Sequence, residues 1–357
     1  MFLKRRLENL QNNIKGKSLD AMLITNAINL TYISGFRGTA GYGIVTRERA
    51  FLLTDFRYTQ QAHKQAPFFE VIQFEGDAMD SINDVLKKNN VRSMGFESRH
   101  LSCLKYEQFK SKLCIKDFFP VTDLVESLRE IKDESEIEKM RKAAEIADSA
   151  FYHILHLIKP GITENEIALE LEYFMKKNGA KALSFDTIVA SGVRSSLPHG
   201  QPSDKRIEAG DLVVLDFGCV YEGYCSDMTR TIGVGSLNEE QKKIYNIVLE
   251  AQMKGLNVLK PGITGKEVDR AARDIISSHG YGQNFGHGLG HGVGCEVHEA
   301  PRLSVNAEEV LKPGMVVTVE PGIYINDFGG VRIEDMVLIT SDGIENFTSS
   351  PKELIIV

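Results

Sequence analysis

Short apolar runs alternate with amphipathic stretches along the first third of the chain. Residues 3–17 predict a largely polar helix, and residues 21–25 predict a short apolar strand. Residues 43–46 and 50–54 predict two paired strands, because a charged turn separates two apolar runs. Further strands are expected at three later runs, with helices between them: residues 69–74, 93–97 and 115–121. This pattern predicts a small α/β domain over residues 1–130.

A linker is expected near residues 125–132, followed by one long helix. Asp133 or Ser135 can cap that helix, and acidic residues in its first turn favour the positive end of the helix dipole. The helix is expected to run over residues 134 to about 158, because a Lys-Pro-Gly break follows. A second domain is therefore expected over residues 131–357.

An internal repeat occupies this second half of the chain. A Lys-Pro-Gly-Ile-Thr motif at residues 159–163 recurs at 260–264, and a glutamate follows each threonine by three residues. This spacing predicts a capping box, in which each side chain bonds the other residue's backbone N–H at the start of a helix. Residues 207–218 likewise match residues 311–322. The half therefore predicts two related α+β units, and a site shared between them would draw residues from both.

A glycine-rich stretch at residues 286–294 alternates glycine with histidine or apolar residues. In an extended chain His287, Leu289, His291 and Val293 would lie on one face. The glycine face would let another backbone or a ligand approach closely. The stretch lacks the Gly-x-Gly-x-x-Gly spacing of a dinucleotide loop and the glutamate of a zinc-binding His-Glu-x-x-His helix. The two histidines are therefore interpreted as ligands or proton carriers.

Composition narrows the classes of function. Hydrophobic residues make up 42% of the chain and charged residues 25%, as in ordinary globular proteins. A net charge of −7 argues against a nucleic-acid-binding protein, and no apolar run is long enough to cross a bilayer. The five cysteines are odd in number and show no Cys-x-x-Cys spacing, which favours the reducing cytoplasm.

Four acids carry the strongest chemical signal. Asp216 and Glu320 occupy matching positions of the repeat, where each closes a Val/Leu-rich strand, and Asp227 and Glu334 lie in similar but weaker settings. A lone buried acid is more often a helix cap or an ion-pair partner. Four acids gathered at one point, however, repel each other unless cations lie between them. With His291 added, the set suits two ions of the Mn, Co, Fe or Zn type better than calcium.

Six motifs of the second half occur in an order that resembles one known family. They read Leu-Asp-Phe-Gly (215–218), Ser-Asp-Met-Thr-Arg-Thr (226–231), Gly-His-Gly-Val-Gly (290–294), Val-His-Glu-Ala-Pro (297–301), Val-Glu-Pro-Gly-Ile-Tyr (319–324) and Gly-Val-Arg-Ile-Glu-Asp (330–335). Together they resemble the pita-bread metallopeptidases, in particular the branch of prolidases and Xaa-Pro aminopeptidases. Residues 31–36 and 54–58 are similar to the creatinase/prolidase N-terminal domain. The resemblance implies an α/β N-terminal domain and an α+β pita-bread catalytic domain with an internal pseudo-two-fold repeat.

The resemblance also implies a set of metal ligands. Two ions would be bound by Asp216, Asp227, His291, Glu320 and Glu334. Asp227 and Glu334 would bridge both ions, and a water or hydroxide between them would attack the scissile carbonyl. Glu320 would also act as general base.

Four further residues match motif positions near the implied site. His199 and His298 would bind substrate and stabilise the oxyanion of the tetrahedral intermediate. His287 and Arg332 would contact the substrate or support the metal ligands.

The expected function is hydrolysis of the Xaa-Pro bond in proline-containing peptides, as a cytoplasmic Xaa-Pro dipeptidase. Manganese is the first choice of metal, with cobalt, iron or zinc as alternatives. An Xaa-Pro aminopeptidase acting on longer peptides is the main alternative function. A metal-free creatinase-like enzyme and a non-catalytic pita-bread binding protein are the others. The resemblance implies a homodimer, in which Arg37 is a candidate for reading the proline carboxylate of a dipeptide.

Overall fold

The computed structural model of the protein describes residues 2–357, which divide into two compact units, residues 2–129 and 130–357. The strands of the first unit are β1 (Ala21–Ile24), β2 (Tyr42–Thr46), β3 (Ala50–Thr54), β4 (Glu70–Gln73), β5 (Ser93–Glu97) and β6 (Asp117–Val121). Its helices are α1 (Phe2–Gly16), α2 (Ala27–Ser34), α3 (Thr59–Gln65), α4 (Ala78–Lys88), α5 (Cys103–Lys112) and α6 (Glu126–Arg129). The strands form one mixed sheet in the order β4-β3-β2-β1-β5-β6, which is the predicted α/β architecture.

Local sequence accounts for several of these elements. The side chains of Asn26, Asp77 and Ser102 accept hydrogen bonds from backbone N–H groups at the starts of α2, α4 and α5. The predicted hairpin is confirmed, because β2 and β3 pair antiparallel with Ile44 opposite Phe51.

The linker prediction is wrong at its N-terminal end. Val125 is fully buried and α6 follows it directly. Arg129 is also buried, and its guanidinium donates to Asn29 Oδ1 at 2.7 Å. A buried guanidinium needs such partners, so residues 125–129 pack as part of the first unit.

The second unit is an α+β arrangement of four helices and several small sheets within residues 130–357. Its helices are α7 (Glu134–Leu155), α8 (Glu164–Lys177), α9 (Glu239–Val258) and α10 (Gly265–Ser278). Its strands are β7 (Ala182–Leu183), β8 (Ile188–Ser191), β9 (Leu212–Phe217), β10 (Cys219–Tyr221), β11 (Tyr224–Cys225), β12 (Met228–Gly233), β13 (Gly290–Gly292), β14 (Glu299–Leu303), β15 (Val316–Val319), β16 (Gly322–Ile325), β17 (Gly329–Arg332), β18 (Asp335–Ile339) and β19 (Ile344–Asn346). Of the helices in residues 2–357, none has both the length and the apolar character needed to cross a bilayer.

The internal repeat is confirmed in three dimensions. In the first copy β9 pairs antiparallel with β12 in the sheet β12-β9-β8. In the second copy β15 pairs antiparallel with β18 in the sheet β14-β13-β15-β18-β19. The two predicted capping boxes form, Thr163 with Glu166 at the start of α8 and Thr264 with Glu267 at the start of α10. Matching motifs of the sequence therefore fold into matching elements.

The long helix begins as predicted and ends early. Asp133 caps α7 and forms a capping box with Glu136. The helix ends at Leu155, three residues before the predicted end, and residues 156–157 continue as a turn.

The glycine-rich stretch forms a much shorter strand than predicted. Only Gly290–Gly292 is a strand, and its pairing with β14 shifts register between His291 and Gly292. This irregularity interrupts the alternation of faces, so Leu289 and Val293 are buried in two different apolar clusters rather than beside the histidines. The close approach permitted by glycine is confirmed, because a Cβ on Gly290 would lie 2.0 Å from Thr318 O.

Candidate metal centre and active site

Strand alternation places the four predicted acids away from the helices. In the first copy Val213 and Leu215 of β9 pack in a core with α7 and α8. Asp216 is the next residue, so it points to the opposite face of the sheet. In the second copy Val317 and Val319 pack in a core with α9 and α10, and Glu320 follows them in the same way. Because side chains alternate between the two faces of a strand, each repeat copy directs one acid away from its helices and toward the same cleft.

The partner strands bring in the other two acids. Asp216 pairs with Thr229 of β12, and Asp227 lies two residues before Thr229, on the same face. Val319 pairs with Asp335 of β18, so Glu320 and Glu334 stand opposite each other just beyond that pair. Each antiparallel strand pair thus contributes two neighbouring carboxylates.

All nine residues predicted for the site line one cleft of about 830 Å³ in the second unit. They are His199, Asp216, Asp227, His287, His291, His298, Glu320, Arg332 and Glu334. The ligand atoms of Asp227, His291 and Glu334 lie within 4.8 Å of one another. His291 Nε2 is 3.6 Å from Asp227 Oδ2 and 3.3 Å from Glu320 Oε1. These separations allow a small cation to contact several of the side chains at once.

Burial and mutual repulsion shift the pKa values of three acids upward. Burial raises the pKa of Glu320 to about 8, with a further contribution from the charge of Asp216. Burial, followed by the neighbouring carboxylates, also raises the pKa values of Asp227 and Glu334 well above their usual range. Without cations, the folded protein therefore retains protons on carboxyl groups that an exposed acid would have lost at neutral pH.

His291 presents an unprotonated nitrogen to these acids. Its Nδ1 lies 3.1 Å from the Gly292 carbonyl oxygen, which can only accept, so Nδ1 carries the proton and Nε2 has a free lone pair. Burial, with the nearby His298, lowers the pKa of His291 to about 3, which keeps the ring neutral at pH 7. A lone pair directed at carboxylates is unfavourable unless a proton or a metal ion lies between them.

The remaining acid has an unused oxygen. Asp216 Oδ2 accepts a hydrogen bond from Arg332 Nη2 at 2.5 Å, whereas Asp216 Oδ1 is buried and has no hydrogen-bond donor among residues 2–357. Such an orphaned oxygen is costly and rare in native proteins. Together with the proton-retaining acids and the bare Nε2, it shows that these residues fit divalent cations bound by mixed oxygen and nitrogen ligands.

Sequence comparison gives an independent assignment. The profile of Metallopeptidase family M24 matches residues 138–341, and that of the Creatinase/Prolidase N-terminal domain matches residues 6–131. The chain belongs to metallopeptidase family M24. The chain is 48% identical over 354 residues to an Xaa-Pro dipeptidase of Pyrococcus furiosus, with 99% of this chain and 100% of the relative covered.

Solved structures of M24 relatives have the same fold. An Xaa-Pro dipeptidase from Bacillus anthracis superposes with a TM-score of 0.98 at 50% identity, covering 99% of this chain and 100% of that one. An X-Pro aminopeptidase from Thermotoga maritima superposes with a TM-score of 0.92 at 41% identity, covering 97% and 100%. The family, the fold class and the assignment as a metallopeptidase, each expected from the motifs, are confirmed.

A hydrogen-bonded chain links two predicted residues of this M24 site through a third that sequence reasoning missed. Arg332 Nη1 donates to Tyr324 Oη at 2.8 Å, and Tyr324 Oη lies 3.0 Å from His287 Nε2. His287 Nδ1 lies 2.8 Å from the Gly288 carbonyl oxygen, so Nδ1 carries the proton and Nε2 accepts from Tyr324. The Gly288 carbonyl thus fixes the tautomer of His287, and Tyr324 bridges His287 and Arg332. Its only sequence signal was its place in the 319–324 motif.

Two more residues of the M24 site had no assigned role in the sequence. Thr229 Oγ1 donates to Glu334 Oε2 at 2.7 Å and receives a hydrogen bond from Arg332 Nε at 3.1 Å. Arg302 of β14 lies directly opposite His291 of β13 and lines the cleft. The motif at 226–231 included Thr229, but the pairing of Arg302 with His291 depends on a strand register that no local pattern reveals.

Proposed function

We propose that this protein is an Xaa-Pro dipeptidase that hydrolyses the bond before a C-terminal proline. The observation that carries the proposal is Arg302. It is exposed in the cleft beside His291, and within residues 2–357 its guanidinium has no hydrogen-bond or ion-pair partner. A dipeptide places its carboxylate directly after the proline, close to the scissile bond, and a guanidinium binds a carboxylate with two hydrogen bonds. The name of the Pyrococcus furiosus relative supports the same substrate class.

An Xaa-Pro aminopeptidase is the second candidate. The cleft of about 830 Å³ lies in the upper part of the roughly 300–1,000 Å³ range for ligand sites, which leaves room for a peptide longer than two residues. The Thermotoga maritima relative is named as an X-Pro aminopeptidase. A metal-free enzyme or a binding protein is less well supported, because either would leave the clustered acids without a compensating charge.

We assign two divalent cations to the clustered side chains, manganese being the first choice. The ligands would be Asp216, Asp227, His291, Glu320 and Glu334, with Asp227 and Glu334 shared between the ions. When bound, such ions polarise a carbonyl oxygen and make a water molecule a strong nucleophile at neutral pH. The hard oxygen donors and single imidazole suit manganese, but cobalt, iron and zinc accept the same set.

The protein's own side chains would then move protons and hold the substrate. Glu320 is the general base: it accepts the proton of the attacking water and delivers it to the proline nitrogen, which leaves as a secondary amine. His298 lies next to His291, with ring centroids 4.3 Å apart, and burial lowers its pKa, so it is a neutral N–H donor. His298 and His199 donate to the carbonyl oxygen as negative charge develops there. His287 and Arg332 line the same cleft, and their hydrogen bonds to Tyr324 keep these three side chains in place.

Location and assembly are parts of the same proposal. A cytoplasmic enzyme is supported by the five cysteines, all of which are free. The homodimer rests on the family resemblance, and light scattering of the purified protein tests it.

The proposal is tested by hydrolysis of Ala-Pro and Ala-Pro-Ala side by side, after removal of metals by a chelator and addition of Mn²⁺. We expect Ala-Pro to be cleaved with the higher kcat/KM, and only after the metal is restored. A preference for Ala-Pro-Ala would establish the aminopeptidase instead. Failure to cleave either peptide, in protein shown to bind Mn²⁺, would return the function to a non-peptidase activity.

Replacing Arg302 by Met is expected to raise the KM for Ala-Pro about 10- to 100-fold and to leave Ala-Pro-Ala much less affected. The reason is that a hydrogen bond to a charged group contributes about 1.5–3 kcal/mol, and only the dipeptide places a carboxylate there. Steady-state kinetics on both peptides measure the change. Arg37→Ala is the comparison variant. If that variant lost the dipeptide preference and Arg302→Met kept it, Arg37 would be the carboxylate reader.

A further inference from the structure

A cluster of buried charged side chains lies next to the candidate ligands in the sequence, outside the residues that line the cleft. It takes no part in the chemistry proposed above. Arg230, on β12, has a side chain that is 1% exposed. All five of its N–H groups are used. Nε donates to Pro351 O at 3.0 Å, Nη1 to the carbonyl oxygens of Thr229 and Glu334, and Nη2 to Ser350 O and Asp335 Oδ1 at 2.7 Å each.

Asp335 connects this guanidinium to the end of the chain. Its side chain is fully buried, and its second oxygen, Oδ2, accepts three further hydrogen bonds. The donors are Gln252 Nε2 at 2.9 Å, Asn346 Nδ2 at 2.8 Å and Lys352 Nζ at 2.7 Å. Lys352 belongs to residues 349–357, which we call the C-terminal segment. The backbone of that segment bonds to β12, since Gly233 N–H donates to Ile355 O at 2.8 Å.

The cluster ties together β12 and β18, the two strands that directly follow the proposed bridging ligands. Arg230 lies three residues after Asp227, and Asp335 lies next to Glu334. β12 and β18 belong to different sheets, so no continuous ladder of backbone hydrogen bonds sets the spacing between them. The junction is made by Glu334 N–H, which donates to Thr229 O at 3.1 Å, and by the guanidinium behind it.

A buried ion cluster is weak evidence for a contribution to stability. Desolvation offsets much of the attraction between its charges, and well-packed apolar residues often replace such clusters without loss. The best-supported use of such groups is to fix one register or arrangement. In this molecule the arrangement concerned is the separation between an acid of the first repeat copy and an acid of the second.

We propose that Arg230, Asp335 and Lys352 are positioning residues that set the separation of Asp227 and Glu334. Through Lys352, the C-terminal segment therefore helps to set the geometry of the proposed metal centre. This inference rests on the proposed metal-dependent function.

Lys352→Met is the test, because its side chain reaches the cluster from the edge and is 18% exposed. We expect Mn²⁺ binding to weaken and kcat for Ala-Pro to fall, each about 10- to 100-fold, with the KM within about twofold of the original value. Isothermal titration measures the affinity. The electron paramagnetic resonance spectrum of the Mn²⁺-loaded protein is expected to lose signal from paired, exchange-coupled ions.

Two variants separate positioning from a general loss of stability. Lys352→Arg keeps a donor and a charge, so it is expected to restore both the affinity and the coupled-ion signal. Lys142→Met removes a surface lysine that pairs with Glu145 at 2.9 Å, and it is expected to change neither. If Lys352→Met does not yield folded protein, Lys352→Gln replaces it. The Lys352→Gln protein must lose coupled-ion signal in the same way, although to a smaller extent.

The inference is overturned if folded Lys352→Met binds Mn²⁺ with the original affinity and spectrum. It is also overturned if Lys352→Arg is impaired as much as Lys352→Met. Failure of the proposed function would look different, because the unaltered protein would then bind no Mn²⁺ or hydrolyse neither peptide.

Discussion

Replacing Asp227 by Asn, or Glu334 by Gln, is expected to lower kcat for Ala-Pro by about a thousandfold or more. Each change keeps the shape of the side chain and removes the charge that is proposed to hold the cations. Loss of metal-ion catalysis removes several kcal/mol of transition-state stabilisation, and about 4 kcal/mol corresponds to that factor. Steady-state kinetics and metal analysis of the purified variants measure the effect.

Glu345→Gln is the matched control for these variants. Glu345 is a partly exposed carboxylate that pairs with Arg141 Nε at 2.7 Å, outside the cleft. Its loss is expected to leave the kcat and the metal content near their original values. Full peptidase activity in both Asp227→Asn and Glu334→Gln would eliminate the two-metal proposal and revive the metal-free alternative.

The positions of the acids were predictable because strand alternation is a local property. Asp216 lies near the end of β9 and Glu320 directly follows β15. Because the apolar residues next to them face a helix pair, the acids face the other way. The repeat added the second requirement, since matching positions in two copies imply one shared site. Sequence periodicity and internal symmetry therefore carry most of the information about these two side chains.

Other features depend on contacts between distant parts of the chain and could not be predicted from the sequence. Arg302 lies opposite His291 only because β13 and β14 pair in one register, and a shift of one residue would turn it to the other face. Tyr324 meets His287 and Arg332 across 37 and 8 residues of sequence. The glycine-rich stretch was predicted as a long strand because the register shift at His291 has no local signature.

The linker error has a similar physical cause. Residues 125–132 are mostly polar, which is typical of a connection exposed to solvent. Arg129 is nevertheless buried, since Asn29, itself in the first unit, accepts a hydrogen bond from it. A charged residue with a specific buried partner cannot be recognised from composition, because the partner lies 100 residues away.

Stability of the metal-free protein is expected to fall as the pH rises from about 6.5 to about 8.5. Exposed acids titrate near pH 4, whereas the folded protein holds protons on Asp227 and Glu334 well above that pH and on Glu320 to about 8. A raised pKa means that the folded state binds more protons than the unfolded state. Its contribution to stability is complete below about pH 4 and is lost as the pH rises through the folded pKa.

The pH range is chosen to isolate these acids from groups that act in the opposite sense. Burial lowers the pKa of His291 to about 3 and that of His287 to about 4, so unfolding takes up protons at these rings below their ordinary pKa of about 6.5. Above that value the rings no longer contribute. Glu130 also titrates in the range, because burial and the nearby Glu309 raise its pKa to about 7. Glu130→Gln therefore serves as the background for the measurement.

Addition of Mn²⁺ is expected to reverse this trend, because the cations compete with protons for the same oxygens. At a free ion concentration of 1,000 times Kd the stabilisation is about 4 kcal/mol, which corresponds to a rise in Tm of roughly 5–10 °C. The rise is expected to be larger at pH 8 than at pH 6.5. Calorimetry of the chelator-treated and Mn²⁺-loaded Glu130→Gln protein measures both quantities. A metal-free Tm that stayed constant from pH 6.5 to 8.5, with an equal gain from Mn²⁺ throughout, would show that these acids do not hold protons in place of metals.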